Sequence, residues 1–432
     1  PVKSITEKVR LFLFTNQTIG QTIAKNTIWL GTGKIGGRLL RIILVVYAAR
    51  ILGPAEWGIF SYATSLIAIL AVLTDFGISA ILTRENAKNA RPGMNVEIIS
   101  SAFFLKILLL IPGLVFLMFF APRIAILQNI LPLMAFFGLM LALDSIRQFG
   151  FSLIKSMEKM EAQAGLYIVT NLVIVVSGFL FLYISPSISS LTYAYVLGTA
   201  AGTMATALFL RKFWKYLSSG LNWTLAKTIL ASAWPFALSS LLGSVMISTD
   251  IFIIGLFRSA EEVGYYSVVD RIMQILYAPA LILATSTLPS FSRLAGQGGG
   301  AASKLFQYIF KKIFVFLIPA TIVGLISAPA VIILFFGDNY SASILPLQIL
   351  LLTLVFRYLS ALLGNLVFSY NQQGVLISYT LLGIFLNVSL DLILIPRIGI
   401  VGSAWATLIS QMAICFYLWI KTINLRSPSK IN

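Results

Sequence analysis

The chain has 432 residues, of which 59% are hydrophobic and only 10% are charged. Soluble globular domains carry about 25% charged residues, so this composition excludes a water-soluble enzyme and a disordered protein. The chain has one cysteine, Cys415, and no histidine. A disulfide framework and the common zinc and di-iron sites are therefore excluded as well.

Long apolar stretches follow one another along the whole chain, and a membrane span needs about 20 residues of this kind. The stretches lie at 28–50, 57–82, 98–120, 124–147, 164–185, 191–210, 230–257, 264–289, 313–336, 342–368, 375–396 and 399–420. Breaks between them fall at turn-forming pairs such as Gly53-Pro54 and Ser185-Pro186. The sequence therefore predicts an all-α integral membrane protein with twelve transmembrane helices.

The formal net charge of +17 is distributed unevenly between the connections. Most lysines and arginines outside the spans fall in alternate loops, and only Arg50, Arg123, Arg258 and Arg397 fall in the others. By the positive-inside rule, both termini are predicted to be cytoplasmic in a multi-pass protein of the cell (inner or plasma) membrane. The charge thus indicates topology, and no nucleic-acid partner is predicted.

A weak internal repeat relates the two halves of the sequence. Residues 55–61 align with 261–267, and residues 130–133 align with 344–347 at a similar offset. Because six spans separate the copies, we predict two six-helix lobes related by a pseudo-two-fold axis along the membrane normal. The predicted order is a cytoplasmic or interfacial segment at 1–26, an N-lobe at 27–215, a cytoplasmic linker at 216–229, a C-lobe at 230–422 and a cytoplasmic tail at 423–432.

Span 1 contains three cations, Lys34, Arg38 and Arg41, spaced i, i+4 and i+7 on one helical stripe. An intramembrane charge costs at least about 2.5–3.5 kcal/mol, so each one is a candidate functional residue. Like charges on one stripe indicate that the stripe faces water or an anion, although Lys34 could instead extend to the cytoplasmic interface. Gly33 and Gly37 form a G-x-x-x-G pattern, which predicts close helix packing beside this stripe.

Further charges lie in the second half of the chain. Arg271 in span 8 and Arg357 in span 10 complete the predicted binding set for an anionic head group. Lys106 in span 3 either extends this basic region or pairs with a buried acid. Asp250 and Asp270, in spans 7 and 8, are the candidates for carrying a coupling cation, and a buried structural ion pair is the alternative for both.

The remaining polar residues of the spans receive structural interpretations or none. Asp144 and Arg147 are three residues apart in span 4 and predict a local ion pair. Asp75 and Asp391 lie near predicted helix ends and receive no role. The G-x-G-x-x-G run at 31–36 lies in an apolar span without a preceding strand, so it is not a dinucleotide-binding motif.

One region of the sequence carries a resemblance to a known family. The residues concerned are 47–54, 56–58, 74–77 and 84–85, within the stretch 26–88. This stretch resembles the N-terminus of the Wzx-like polysaccharide flippases of the multidrug/oligosaccharidyl-lipid/polysaccharide (MOP) superfamily. The resemblance implies translocation of polyprenyl-pyrophosphate-linked oligosaccharides from the cytoplasmic to the outer leaflet. The related lipid II flippase has essential arginines in helices 1, 2 and 8, and Arg38, Arg41 and Arg271 lie in comparable helices.

The favoured hypothesis is a flippase, not an enzyme, that works by alternating access with H⁺ or Na⁺ as candidate coupling ions and no other cofactor. A multidrug/cation antiporter of the same superfamily is the first alternative, and an integral membrane enzyme acting on lipid-linked sugars is the second. The residues alone leave open whether the anion is small and soluble or a lipid-linked pyrophosphate. Predicted partners are the lipid-linked oligosaccharide, membrane lipid, a polysaccharide polymerase and glycosyltransferases.

Overall fold

The structure is a computed structural model that describes residues 19–88, 96–217, 222–297 and 300–426, and every regular element in these ranges is helical. The α-helices are α1 (Ile19–Asp75), α2 (Ile78–Lys88), α3 (Val96–Val115), α4 (Met134–Ser156), α5 (Met160–Ile184), α6 (Ile188–Phe209), α7 (Trp214–Leu217), α8 (Trp223–Phe257), α9 (Ala260–Gly296), α10 (Ala301–Phe336), α11 (Ile344–Ser369), α12 (Gln373–Ile398) and α13 (Ile400–Arg426). Parts of the predicted N-terminal segment, linker and tail lie outside the described residues.

Short helices of other types precede two of the long α-helices. A π-helix (Phe116–Phe120) and two 3₁₀ helices (Ala121–Arg123 and Ala125–Leu133) connect α3 to α4, and a 3₁₀ helix (Asp338–Ser343) leads into α11. A further 3₁₀ turn, Arg211–Phe213, comes before α7.

Ten helical stretches of the described residues are long and apolar enough to cross a membrane. They are Ile28–Asp75, Val96–Arg123, Ile130–Ser156, Met160–Ile184, Trp223–Ser244, Ala260–Gly296, Ala301–Phe336, Asp338–Ser369, Gly374–Ile398 and Ile400–Ile423. Helix α6 coincides with the predicted span 191–210, but it is rich in Thr, Ser and Gly and is not among the ten. The protein is thus an all-α membrane protein, and the number twelve stays a prediction.

The element α1 contains two helices, which correspond to the first two predicted spans and are separated by a kink at Gly53. Gly53 interrupts the helical backbone with φ 73° and ψ 172°, and Pro54 follows it. A positive φ is inexpensive for glycine, and proline suits the first turn of a helix because it needs no hydrogen-bond acceptor there. The chain therefore changes direction at Gly53 and resumes the helix at once.

The described chain clusters into two compact units. The chain up to Leu52 and Ala63–Ser244 form the N-unit, while Gly53–Tyr62 and the chain from Val245 onward form the C-unit. The outer end of the second predicted span thus clusters with the second half of the chain, and the first part of α8 clusters with the first half. The lobe boundaries at residues 215 and 230 stay a prediction.

The N-unit has a buried core where α2, α3 and α4 meet the start of α8. Ile78, Ile99, Ile154 and Ala233 are all fully buried there. Helices α5 and α6 cross closely, since a Cβ added to Gly198 would lie 2.1 Å from the Ile174 side chain. Small residues at a crossing allow such contact between membrane helices.

The C-unit has a core between α9, α10, α11 and α13, with Phe291, Leu363 and Leu418 fully buried. Arg258 holds the end of α12, because its Nε donates to the Ile395 carbonyl at 2.8 Å and its Nη2 to the Pro396 carbonyl at 3.0 Å. The Ile395 carbonyl also accepts from the Gly399 backbone N–H at 2.9 Å, so the bond to Pro396 is the one that supplies a partner to a carbonyl at the helix C-terminus.

Two glycines of the predicted repeat pack against each other's helices within the C-unit. A Cβ on Gly58 would lie 1.8 Å from the Ala260 carbonyl oxygen, and a Cβ on Gly264 would lie 2.0 Å from the Pro54 carbonyl oxygen. The contact is therefore made backbone to backbone, and it is reciprocal.

Candidate functional site

The three cations predicted for span 1 lie in the part of α1 before Gly53, and the structure describes the side chains of two of them. Arg41 donates from Nε to Asn171 Oδ1 at 3.0 Å, and its guanidinium lies 5.6 Å from the centre of the Tyr195 ring. Arg38 is exposed and forms no hydrogen bond or ion pair with the described residues. The side chain of Lys34 lies outside the described part of the structure.

The predicted glycine packing beside these cations is confirmed within the N-unit. A Cβ on Gly33 would lie 2.7 Å from Ala164 Cβ, and one on Gly37 would lie 2.5 Å from the Tyr167 ring. Helix α5 therefore runs against the glycine face of α1. This close approach brings Asn171 within hydrogen-bonding distance of Arg41.

The cations of the C-unit lie on two packed helices, α9 and α11. The guanidinium of Arg357 lies 5.5 Å from the centre of the Tyr277 ring, and Tyr277 Oη is 2.6 Å from Thr353 Oγ1. Arg271 Nε is buried and has no hydrogen-bond partner among the described residues. Asp270, its neighbour in sequence, instead accepts a hydrogen bond from Gln274 Nε2 at 2.7 Å.

Other basic residues inside the N-unit have acidic partners. Lys106 pairs with Asp75, which decides between the two alternatives open for Lys106 in favour of a buried ion pair. The predicted pair between Asp144 and Arg147 is confirmed.

A third pair joins Lys25, which is 1% exposed, to Glu161 at 3.1 Å. In contrast, Arg38, Arg41, Arg271 and Arg357 form no ion pair with a carboxylate in the described ranges. The basic residues in and beside the spans therefore fall into a paired set and an unpaired set, and the unpaired set contains four of the five predicted head-group residues.

Asp250 belongs to a polar cluster inside the C-unit. It accepts hydrogen bonds from Tyr266 Oη at 2.6 Å and from Thr407 Oγ1 at 3.0 Å, and Asn387 and Asp391 lie beside it. Asp391 is fully buried, and neither of its carboxylate oxygens accepts a hydrogen bond from the described residues.

Two neighbouring carboxylates in a low-dielectric interior repel each other strongly, so the cluster calls for a proton or a cation between them. The oxygens available are the two carboxylates, the Asn387 amide and the hydroxyls of Ser403 and Thr407. No group of three or more His, Cys, Asp or Glu side chains is found within the described ranges.

Asp391 is the residue that the sequence reasoning missed. Its distance of 141 positions (391 − 250) from Asp250 hides the contact, and hydropathy places it near the end of an apolar stretch. A usable signal was nevertheless present. Asn387 and Asp391 are spaced i, i+4 on α12, while Ser403 and Thr407 are spaced i, i+4 on α13. Polar pairs with this spacing on consecutive apolar helices indicate two facing polar stripes.

The described residues define a multi-pass, all-α membrane protein with unpaired cations inside its spans. Within that class, residues 23–295 match the family described as "Polysaccharide biosynthesis protein", and the chain belongs to this family. The predicted family resemblance is therefore confirmed.

Individual proteins agree with this assignment. The chain is 25% identical over 396 residues, covering 90% of this chain and 81% of the relative, to a protein of Haloferax volcanii named "Probable low-salt glycan biosynthesis flippase Agl15". The fold of the present chain is similar to that of the lipid II flippase MurJ in an inward closed conformation. The TM-score is 0.71, the sequence identity is 16%, and the match covers 91% of this chain and 87% of that chain. The fold is also similar to an outward-facing multidrug resistance MATE transporter, with TM-score 0.60, 16% identity and coverage of 99% and 100%.

Proposed function

We propose that this protein is a flippase that moves polyprenyl-pyrophosphate-linked oligosaccharides from the cytoplasmic to the outer leaflet by alternating access. The observation that carries the proposal is that Arg38 and Arg41, near the centre of the first predicted span, have no carboxylate partner in the described part of the chain. A cation inside a membrane needs compensation, and here the substrate supplies the negative charge. The relative named as a glycan biosynthesis flippase supports the same substrate class.

The two arginines suit a pyrophosphate better than a single charge. Side chains at i and i+3 of a helix have Cβ atoms about 5–6 Å apart, so Arg38 and Arg41 can each contact one of two linked phosphoryl groups. Guanidinium groups bind phosphate oxygens through two parallel hydrogen bonds. We propose Lys34 in the N-unit, and Arg271 and Arg357 in the C-unit, as further residues that bind an anionic head group.

The energy for transport is proposed to come from cation movement through the acidic cluster of the C-unit. Asp250 and Asp391 would hold a proton or Na⁺, with Asn387 and Thr407 supplying neutral oxygens. Asp270, the second predicted coupling residue, accepts a hydrogen bond from Gln274, and we propose it as a secondary site for the coupling cation. Loss of the cation would leave two carboxylates facing each other, so occupancy of the cluster favours one arrangement of the surrounding helices.

A cation antiporter is the second candidate, and the Asp250–Asp391 cluster is the observation that favours it. In that case the cluster would hold the transported cation itself, and the unpaired arginines would have no substrate role. The plasma-membrane location, the cytoplasmic termini and the polymerase and glycosyltransferase partners stay predictions under both candidates.

The test is a binding measurement on the purified protein in nanodiscs with a polyprenyl-pyrophosphate oligosaccharide and, separately, a lipophilic cationic drug. We expect saturable binding of the pyrophosphate lipid that weakens at least tenfold in Arg38→Ala/Arg41→Ala, because charged hydrogen bonds contribute about 1.5–3 kcal/mol each. Arg123→Ala removes one exposed positive charge from the same unit and serves as the control.

Transport of the same lipid in proteoliposomes extends the test from binding to function. The double variant is expected to insert and fold normally but to lose transport. Full transport by the double variant would refute the anion site, and preferential binding of the cationic drug would support the antiporter.

A further inference from the structure

We infer that Asn171 is a positioning residue that orients the Arg41 guanidinium and thereby gives the site a preference for a diphosphate over a monophosphate. This inference rests on the proposed function, since it concerns the same anion site. Asn171 carries no charge, and the contact that brings it to Arg41 joins helices α1 and α5 across 130 positions.

The Asn171 side chain has one orientation only. It is fully buried, and its Nδ2 donates to the Tyr167 backbone carbonyl at 2.7 Å. Because the amide nitrogen is held by the backbone of its own helix, the amide oxygen must point toward α1, where it accepts from Arg41 Nε at 3.0 Å. Hydrogen bonds away from water are electrostatically stronger than exposed ones, so this pair is a rigid support for the guanidinium.

The hydrogen bond from Arg41 to Asn171 leaves the two terminal nitrogens of the guanidinium available for a ligand. Nε is occupied by Asn171, and the Tyr195 ring lies 5.6 Å from the guanidinium carbon. The two terminal nitrogens form no hydrogen bond within the described ranges. They are the edge of the guanidinium that can bind two oxygens of one phosphoryl group.

The preference for a diphosphate over a monophosphate also depends on Arg38. It lies about one turn before Arg41 on α1 and is exposed, so its guanidinium is not held in one place. A monophosphate can be bound by the adaptable Arg38 alone. A diphosphate gains the second, fixed guanidinium only when Arg41 is correctly oriented, and its binding therefore depends on Asn171.

Gly37 makes this arrangement sterically possible. A Cβ at this position would lie 2.9 Å from Asn171 Nδ2 and 2.5 Å from the Tyr167 ring. The short asparagine side chain reaches Arg41 only because the two helices approach over a glycine. The glycine pattern of α1 thus allows the helix approach through which Asn171 orients Arg41.

The experiment measures the binding of farnesyl diphosphate and farnesyl monophosphate to the full-length protein in nanodiscs. Asn171→Leu keeps the approximate volume and removes the acceptor, and we expect diphosphate affinity to fall about tenfold with little change for the monophosphate. Asn171→Ala also removes the acceptor and is expected to lower the ratio of diphosphate to monophosphate affinity in the same way. If Asn171→Leu does not reconstitute, Asn171→Ala carries the test.

Asn365→Leu is the matched control, since Asn365 is also buried and donates to the Ala284 carbonyl at 2.6 Å without contacting a cation. It should leave the ratio of the two affinities unchanged. An unchanged ratio in Asn171→Leu or in Asn171→Ala would overturn the inference. Wild-type protein that binds no diphosphate, or whose binding survives Arg41→Ala, would instead overturn the proposed function.

Discussion

Replacement of Lys106 by methionine is predicted to destabilise the protein without touching the proposed anion site. Lys106 lies inside the N-unit with its side chain only 2% exposed, and it pairs with Asp75, whose side chain is 25% exposed. Methionine keeps the length of the lysine chain but removes its charge. Asp75 then keeps only the hydrogen bond from Ser79 Oγ among the partners described for it, and its negative charge is left without compensation.

The magnitude follows from the burial of the two partners. Breaking a buried pair by removing one member costs about 3–5 kcal/mol, because the other charge stays buried. Asp75 is one-quarter exposed and can draw on solvent or lipid head groups, so we expect the lower end, about 3 kcal/mol. The double variant Lys106→Met/Asp75→Asn removes both charges and should regain most of this loss, since neutral replacements of buried pairs are often tolerated.

Denaturant unfolding in detergent micelles measures these differences as changes in midpoint at a constant slope. Arg38→Met is the control, because Arg38 is exposed and has no acidic partner in the described structure, and its stability should stay within about 0.5 kcal/mol of the wild type. Wild-type stability of Lys106→Met would refute the argument that this cation is structural. A double variant less stable than Lys106→Met would refute the charge-pair explanation of the loss.

Two further predictions concern the C-unit. In wild-type protein a bound cation should raise the unfolding free energy by about 2.7 kcal/mol at 100 times its Kd. Asp391→Asn should abolish this Na⁺- or pH-dependent gain in unfolding free energy. The control Asp338→Asn, at an exposed position, should retain the gain. A gain that survives in Asp391→Asn would exclude the cluster as the ion site. Gly58→Ala places a Cβ 1.8 Å from a backbone oxygen and should cost about 1–3 kcal/mol in thermal unfolding. Gly31→Ala, in open space, should be neutral or slightly stabilising, and equal behaviour of the two alanine variants would contradict the close contact.

The fold class was predictable because the membrane imposes a simple rule on the sequence. Every backbone group must be satisfied inside the bilayer, so long apolar stretches become helices whatever their neighbours do. The element α1 shows that local residue types also locate the break between two spans. Gly53 and Pro54 predict a break, and Gly53 is the non-helical residue at which the two helices of α1 meet. The residue types do not show how short this connection is.

The candidate site was predictable only where its residues share one helix. Arg38 and Arg41 are visible as a stripe because a helix brings residues three and four apart to one face. The partner Asn171 is not visible in this way, because its contact joins helices far apart in the chain. The i, i+4 spacing of Asn387 and Asp391 is visible, but it does not show that Asp250 lies beside them. For Lys106, too, the sequence showed a buried charge but not the acid that compensates it.

The contact between Gly58 and Gly264 has a consequence for the origin of the chain. Each glycine faces a backbone oxygen at the start of the other helix, and the residues aligned by the repeat exchange roles. In a dimer of identical chains a two-fold axis produces such an isologous contact, and one glycine per chain supplies both sides. If the predicted repeat arose by fusion of two copies of one chain, a single mutation in the unfused dimer would have supplied both glycines of this contact. In the present chain the contact depends on two separate codons, and the loss of either glycine would disrupt it.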